Sequence, residues 1–211
     1  MISTQTLLLF CISAFALIIT PGPNLIYIIT RSASQGRKAG LLSVLGVDSG
    51  TLIHVAAASL GLSALLASSA LAFNIVKYLG AAYLIYLGLR AWFSQREAQE
   101  LANPEPTSVA RVYFQGMLTN VLNPKVALFF LAFLPQFVDV SRGSVAAQML
   151  VLGLTFTLIG VGVDVVVALF ASTAGHWLRR RTKAQQAQKW ITGGVYITLG
   201  MSAALAGADR K

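Results

Sequence analysis

Two short polar clusters interrupt apolar stretches of the chain, and each combines proline with asparagine. The first cluster consists of Pro21, Gly22, Pro23 and Asn24, and the second of Asn120, Asn123, Pro124 and Lys125. Proline cannot donate to the carbonyl four residues earlier, so Pro21 frees the carbonyl of Leu17 and Pro124 frees that of Asn120. Freed carbonyls suit an ammonium group, and the N–H groups of a restarted helix suit a carboxylate. The clusters therefore predict a site for a zwitterion such as an amino acid, with ordinary proline kinks used for packing as the alternative.

Two carboxylates, Asp48 and Asp164, also lie inside apolar stretches. A charge at mid-membrane costs roughly 2.5–3.5 kcal/mol on insertion scales, so such residues usually pair with another group or have a function. We predict that Asp164 binds and releases protons or pairs with Lys125, and Asp48 is a second candidate for proton coupling. A purely structural role is the alternative for both. His54 follows Asp48 by six residues, which turns it about 120° around a helix, and this favours a packed or lining histidine.

The composition indicates that membrane-spanning helices position these residues. The chain is 56% hydrophobic and only 11% charged, with a mean hydropathy of +0.71, and these values are typical of membrane proteins. Its 211 residues suffice for about six spans of ~20 residues, which leaves a single transmembrane domain over residues 1–211. The net charge of +9 comes from residues at the edges of apolar segments, so we expect no nucleic-acid partner.

Six apolar stretches have the length of a membrane span. They are Leu7–Ile29, Gly40–Leu66, Leu71–Trp92, Val112–Val138, Val145–Ala171 and Trp190–Ala206. The first stretch has no basic residue before it and no cleavage signal of small residues after it, so we predict a retained span and not a secretory signal. The fold class predicted is thus an all-α membrane protein of six transmembrane helices.

A polar linker over residues 94–110 divides the chain into two halves, residues 1–93 and 111–211. An odd number of spans in each half makes the second half run in the opposite direction, as in 3+3 inverted-topology transporters. The proline-broken spans 1 and 4 occupy corresponding positions in the two halves, and so do the spans that hold Asp48 and Asp164. Such paired, interrupted helices are the strongest sequence indication of a transporter's binding site.

Lysine and arginine are concentrated in the loops after spans 1, 3 and 5. The positive-inside rule places those loops in the cytoplasm and predicts that both termini lie outside. The sequence contains no phosphate-binding loop or set of metal ligands, so we expect neither ATP-driven transport by this chain nor a cofactor. A homo-oligomer is left open.

Two alternatives belong to other classes of protein. Two aspartates that share a proton would suit an intramembrane aspartyl protease. In that class a Gly-x-Gly-Asp sequence surrounds one aspartate, whereas Val163 intervenes between Gly162 and Asp164 here. A structural membrane protein without transport activity is the other alternative, and it predicts that both proline clusters tolerate replacement.

Motifs along the whole chain resemble those of the LysE/RhtB superfamily of amino-acid exporters. They are Thr20 to Asn24 with Gly36 and Gly40, the run from Lys77 to Gly88, and Asn120 to Lys125 with Phe129, Phe130 and Leu134 to Phe137. Gly46, Gly50, His54 and Asp164 make the homoserine, homoserine-lactone and threonine branch the most similar. The resemblance implies a secondary transporter in a bacterial inner membrane that exports small neutral amino acids and draws on the proton motive force. Asp48 is not part of the superfamily pattern.

Overall fold

The computed structural model describes residues 2–62, 64–65, 69–93, 108–178, 194–195, 197–201 and 204. Within these ranges most residues are helical and none forms a strand. The α-helices are α1 (Thr4–Ile19), α2 (Pro23–Ala57), α3 (Ala70–Phe93), α4 (Val109–Val121), α5 (Pro124–Leu128) and α6 (Val145–Leu178). A π-helical turn, Ala58–Leu62, extends α2, and a second, Phe129–Phe133, extends α5 into the 3₁₀ turn Leu134–Phe137.

Several of these helices have the length and composition of membrane spans. The stretches Pro23–Leu62 and Val145–Thr173 each qualify, and Val109–Val121 with Pro124–Phe137, which are bent by 45°, qualify as a third if the pair is one span. The helix Thr4–Ile19 is apolar but has only 16 residues. The chain is therefore an integral membrane protein with a helical fold, as the composition predicts.

One glycine divides the longest helical stretch. Pro23–Leu62 contains 40 residues, which would measure about 60 Å as one straight helix, twice the ~30 Å hydrocarbon core of a bilayer. Gly36 has φ 81° and ψ −176°, a conformation that costs glycine little and other residues much. The sequence predicts a loop between Ile29 and Gly40, whereas the chain stays helical there on both sides of this single non-helical residue.

The other helix boundaries follow from capping residues and prolines. Ser3 caps α1 by accepting a hydrogen bond from the amide of Thr6 at 3.1 Å. The helix ends where Thr20 adopts an extended conformation before Pro21. Pro23 then starts α2 in the first helical position, where its missing N–H costs nothing.

The second half contains a matching interruption. Leu122 leaves the helical conformation at the end of α4, and Asn123 is the N-cap of α5, with Pro124 in the first helical position. The predicted span Leu71–Trp92 coincides with α3 to within one residue at each end. Residues 94–107 of the predicted linker and most of the predicted span Trp190–Ala206 lie outside the described residues.

Glycines allow α2 to pack tightly along α4. A Cβ atom added at Gly50 would lie 2.8 Å from the carbonyl oxygen of Met117 and 2.8 Å from the Cβ atom of Asn120. One added at Gly116 would lie 3.0 Å from the carbonyl oxygen of Ser43. The two backbones therefore touch, as small residues permit at helix contacts in membranes. This packing brings the polar side chains of α4 against the middle of α2.

An aromatic cluster joins α1, α5 and α6. Phe129 is fully buried, and its ring centroid lies 5.9 Å from that of Phe10 and 4.8 Å from that of Phe156. Other large apolar residues are exposed, such as Leu158 on α6 and Ile12 on α1. Exposed apolar side chains on helices of this length suit contact with lipid. The aromatic cluster packs α1 and α6 against the helical turn that follows α5.

Candidate functional site

The interruption after α1 leaves backbone carbonyls that a lysine from the second half satisfies. The Nζ atom of Lys125 donates hydrogen bonds to the carbonyl oxygens of Leu17, at 2.9 Å, and Thr20, at 2.7 Å. The sequence predicts that Pro21 frees the first of these carbonyls. Lys125 is only 5% exposed, so its ammonium is held by backbone oxygens and not by water. The carbonyls at this interruption therefore bind an ammonium group.

The interruption before α5 is stabilised by Asn123. Its Oδ1 atom accepts a hydrogen bond of 3.0 Å from the amide of Lys125, which caps the helix. Its Nδ2 atom donates to Oδ1 of Asn24 at 2.9 Å. Asn24 belongs to the first turn of α2, so one side chain connects the two interrupted regions.

Asn120 reaches from α4 to the middle of α2. Its Nδ2 atom donates to the carbonyl of Val47, at 2.5 Å, and to Oγ1 of Thr51, at 2.6 Å. The carbonyl oxygen of Asn120 accepts a hydrogen bond of 3.2 Å from Nε2 of His54. Pro124 frees this carbonyl, so each interruption receives a side-chain donor from the opposite half of the chain.

The two buried aspartates line one cavity with Lys125. Asp48 is 8% exposed and Asp164 is 5% exposed, and Oδ2 of Asp48 has no hydrogen-bond partner among the described residues. No Lys125–Asp164 ion pair within 4.0 Å is present in the described part of the chain, although both residues line the cavity. A Cβ atom added at Gly160 would lie 3.4 Å from Oδ1 of Asp48, so α6 passes close to this carboxylate.

The cavity has a polar and an apolar side, and the space inside it measures about 30 Å³. This space suffices for about two water molecules, so an amino acid requires the cavity to widen. The polar residues that line it are Asn24, Asp48, Thr51, Lys125 and Asp164. The apolar residues that line it are Ile18, Leu25, Val47, Val126 and Phe156, together with Gly160. Charged groups of both signs beside an apolar wall can hold a zwitterion with an apolar side chain.

The structure brings the predicted site residues to one region, where some line the cavity and others support the helices around it. Asn24, Asp48, Lys125 and Asp164 line the cavity itself. Asn120 and Asn123 stand behind it, where they fix α2 and α5 through the hydrogen bonds described above. The remaining predicted residues form the interruptions, and they are Pro21, Gly22, Pro23 and Pro124.

Sequence reasoning missed Thr51, Phe156 and Ile18 as lining residues. Thr51 lies three residues after Asp48, and Phe156 lies eight residues before Asp164 with Gly160 midway. These spacings place each on the same helix face as its aspartate. Helical periodicity counted from the aspartates would therefore have identified two of them. Among the described residues, no group of three or more His, Cys, Asp or Glu residues could hold a metal ion.

Comparison with known proteins identifies the family. The family model described as "LysE type translocator" matches residues 15–207. An uncharacterized membrane protein of Bacillus subtilis, YrhP, is 30% identical over 95% of this chain and 99% of its own length. A leucine efflux protein of Klebsiella pneumoniae is 30% identical over 94% of this chain and 93% of its own length. No solved structure matches the chain significantly. With a family model that covers nearly its whole length, the chain belongs to the LysE type translocator family.

Proposed function

We propose that this protein exports small neutral amino acids across the bacterial inner membrane and that the substrate zwitterion binds in the cavity beside the two helix interruptions. Membership of the LysE type translocator family makes the chain an amino-acid efflux transporter and not an enzyme, so the protease alternative is set aside. The observation that carries the proposed site is the capture of an ammonium group by the carbonyls of Leu17 and Thr20, next to the uncapped start of α2.

Each charged group of a zwitterion has a complementary group in this region. The first turn of α2 has no side-chain cap at Gly22, and Asn24 and Leu25 of that turn line the cavity. Helix N-termini of this kind attract carboxylates through free N–H groups and the helix dipole. The carbonyls of Leu17 and Thr20 suit the substrate ammonium. Pro21, Gly22, Pro23, Asn24, Asn120, Asn123, Pro124 and Lys125 together form the proposed substrate site.

Charge balance supports a proton-coupling role for the aspartates. With all three side chains ionised, Asp48, Asp164 and Lys125 carry one net negative charge, and a zwitterion adds none. One bound proton makes the empty site neutral, so the empty site can return inward with a proton, which is the direction that export driven by the proton motive force requires. Asp164 is the proposed main coupling group because it belongs to the superfamily pattern and Asp48 does not, and Asp48 is the second.

The identity of the substrate is part of the proposal. Homoserine, threonine and homoserine lactone are the candidates that follow from the sequence motifs. The apolar wall of Ile18, Val126 and Phe156 suits an aliphatic side chain, and the similar Klebsiella and Enterobacter proteins are named leucine efflux proteins. Leucine therefore joins the candidates. Homoserine lactone lacks the carboxylate, so we expect it to bind more weakly than homoserine.

We further propose the complete architecture of six spans as a 3+3 inverted repeat, with spans 1 and 4 broken at Pro21–Pro23 and Pro124 and with both termini in the periplasm. Two features support it. Both interruptions contain prolines, at Pro21 and Pro124. Asp48 and Asp164 lie on corresponding predicted spans and line the same cavity.

Efflux from preloaded cells tests the function. Cells with and without the protein are loaded with labelled homoserine, threonine or leucine, and the loss of label is followed with and without an uncoupler. We expect faster efflux of at least one compound and a return to the control rate with the uncoupler. Faster efflux that an uncoupler leaves unchanged would refute proton coupling, and equal rates for all three compounds would refute the proposed substrate class.

A further inference from the structure

The ammonium of Lys125 occupies the position that the proposed function assigns to the substrate ammonium. Its Nζ atom donates to the carbonyls of Leu17 and Thr20 at 2.9 and 2.7 Å, and no other side chain contacts these two oxygens in the described part of the chain. A Cβ atom added at Gly22 would lie 3.4 Å from Nζ, so the lysine ammonium lies directly beside the start of α2. A lysine ammonium and an α-ammonium are the same chemical group with three N–H donors.

Two ammonium groups cannot share this pair of carbonyls. Both oxygens lie within hydrogen-bond distance of one nitrogen, so a second nitrogen bound to both would lie within a few ångströms of the first. Two like charges in a buried site repel strongly, since little water screens them. Substrate and lysine must therefore occupy these carbonyls in turn.

The cavity provides a second place for the lysine. Lys125, Asp48 and Asp164 line the same space, and Oδ2 of Asp48 has no hydrogen-bond partner among the described residues. The lysine stem has four rotatable carbons, which lets its ammonium move without movement of α5. Its third N–H is not engaged by Leu17 or Thr20 and has no partner in the described ranges. A shift toward the aspartates would exchange two neutral acceptors for charged ones.

We propose that Lys125 is a tethered competitor of the substrate. Its ammonium holds the carbonyls of Leu17 and Thr20 in the empty transporter, moves toward Asp164 and Asp48 when an amino acid binds, and returns when the substrate leaves. This inference rests on the proposed function, because it needs an amino acid as the substrate. It explains why a transporter needs a lysine where a substrate binds. The Leu17 carbonyl already accepts from the amide of Thr20 at 3.1 Å, and the lysine keeps the Thr20 carbonyl hydrogen-bonded in the membrane, where unsatisfied polar groups are costly.

Removal of the competitor gives a test with a clear sign. The wild-type protein and the variants Lys125→Met and Lys38→Met are reconstituted in lipid nanodiscs. Lys38→Met is the control, because Lys38 is an exposed residue of α2 away from the cavity. Binding of leucine and of 4-methylpentanoate, which is leucine without its amino group, is measured by calorimetry. We expect Lys125→Met to favour leucine over the deaminated compound about tenfold more than the wild type does, because hydrogen bonds to charged groups are worth a factor of this order. Lys38→Met should not change the ratio.

The opposite results have distinct meanings. An unchanged or smaller ratio in Lys125→Met, with wild-type efflux intact, overturns the competitor role and leaves the proposed function standing. A wild-type protein that neither binds nor exports leucine, threonine or homoserine overturns the proposed function itself.

A second variant covers the case in which Lys125→Met does not fold. Lys125→Ala is prepared with methylammonium chloride or with tetramethylammonium chloride at the same concentration. Methylammonium can donate to the two vacated carbonyls and tetramethylammonium cannot, so only the former should raise the melting temperature of the variant. Equal melting temperatures in the two salts would overturn the proposal.

Discussion

The side-chain amide of Asn123 donates a hydrogen bond of 2.9 Å to Oδ1 of Asn24, across 99 positions of sequence. One residue caps the helix after the second interruption, and the other lies in the first turn of the helix after the first interruption. The bond therefore fixes the distance between the two proposed halves of the substrate site. If one interrupted helix moves against the other during transport, the Asn123–Asn24 hydrogen bond must break. If the bond stays intact, the two regions must move together.

The variant Asn123→Ala tests that connection. It removes the cap of α5 and the bond to Asn24, and we expect a loss of stability of about 1–2 kcal/mol and slower efflux. The control Ser108→Ala removes the cap of α4, where Ser108 accepts from the amide of Arg111 at 3.3 Å, and should lower stability without slowing efflux by the folded protein. Thermal unfolding in detergent and the efflux assay measure the two effects. Equal efflux by both variants would contradict a role for the Asn123–Asn24 bond in transport.

Asp164→Asn tests proton coupling. The amide keeps the size of the side chain but cannot take up and release a proton, so we expect uncoupler-sensitive efflux to fall to the rate of cells without the protein. Asp48→Asn should reduce efflux less, because the proposed main group is retained. Asp139→Asn is the control, since Asp139 pairs with Arg142 at the surface, away from the cavity. Normal uncoupler-sensitive efflux by an inserted Asp164→Asn protein would remove the coupling role.

Gly50→Ala tests the close contact of α2 and α4. The added methyl group would meet the carbonyl of Met117 and the Cβ atom of Asn120, both at 2.8 Å, and neither can move without a shift of α4. We expect a loss of roughly 1–3 kcal/mol of stability. Gly162→Ala is the matched control, because a Cβ atom there would meet nothing within 4 Å. Melting temperatures of the purified proteins provide the comparison, and a Gly50→Ala protein as stable as Gly162→Ala would contradict the prediction.

Variants of His54 test whether the freed carbonyl of Asn120 needs the hydrogen bond that the His54 ring donates. The His54 ring stacks on Phe130 with centroids 5.8 Å apart, so His54→Phe keeps an aromatic ring there but loses the hydrogen bond. His54→Gln keeps a donor and loses the ring. Because the Asn120 carbonyl also accepts from the amide of Asn123, we expect a modest loss in His54→Phe, about 0.5–1.5 kcal/mol, with slower efflux. Efflux by His54→Gln should exceed that of His54→Phe, and the reverse order would indicate that only ring packing matters.

The sequence predicts which backbone carbonyls lose their helical hydrogen bond, because a proline affects only the carbonyl four residues before it. Pro21 and Pro124 identify the carbonyls of Leu17 and Asn120 from the helix spacing alone. Their donors, Lys125 and His54, come from the opposite half of the chain, and no local rule connects positions so far apart. The prediction that the Leu17 carbonyl is open to a substrate therefore missed its present occupant.

Some helix ends could be predicted from the sequence and others could not. The ends of α3 follow from the apolar run, which stops where polar residues begin. The continuous helix around Gly36 was not predicted, because a polar stretch rich in small residues also suits a loop. Tertiary contacts decide such cases: Arg31 is 8% exposed and donates to Oε1 of Gln115 at 2.8 Å, which binds this polar stretch to α4.

The contact at Gly50 also limits how this protein can change over evolutionary time. Any larger residue at position 50 meets the backbone carbonyl of Met117 and the Cβ atom of Asn120, and these contacts remain when Asn120 is replaced by any residue other than glycine. Position 50 is therefore expected to remain glycine for as long as α2 and α4 pack in this way. Lineages of this family that alter their cargo are then expected to do so through the apolar wall, for example at Ile18, whereas a change at Phe156 must also be accommodated by Phe129 and Phe130.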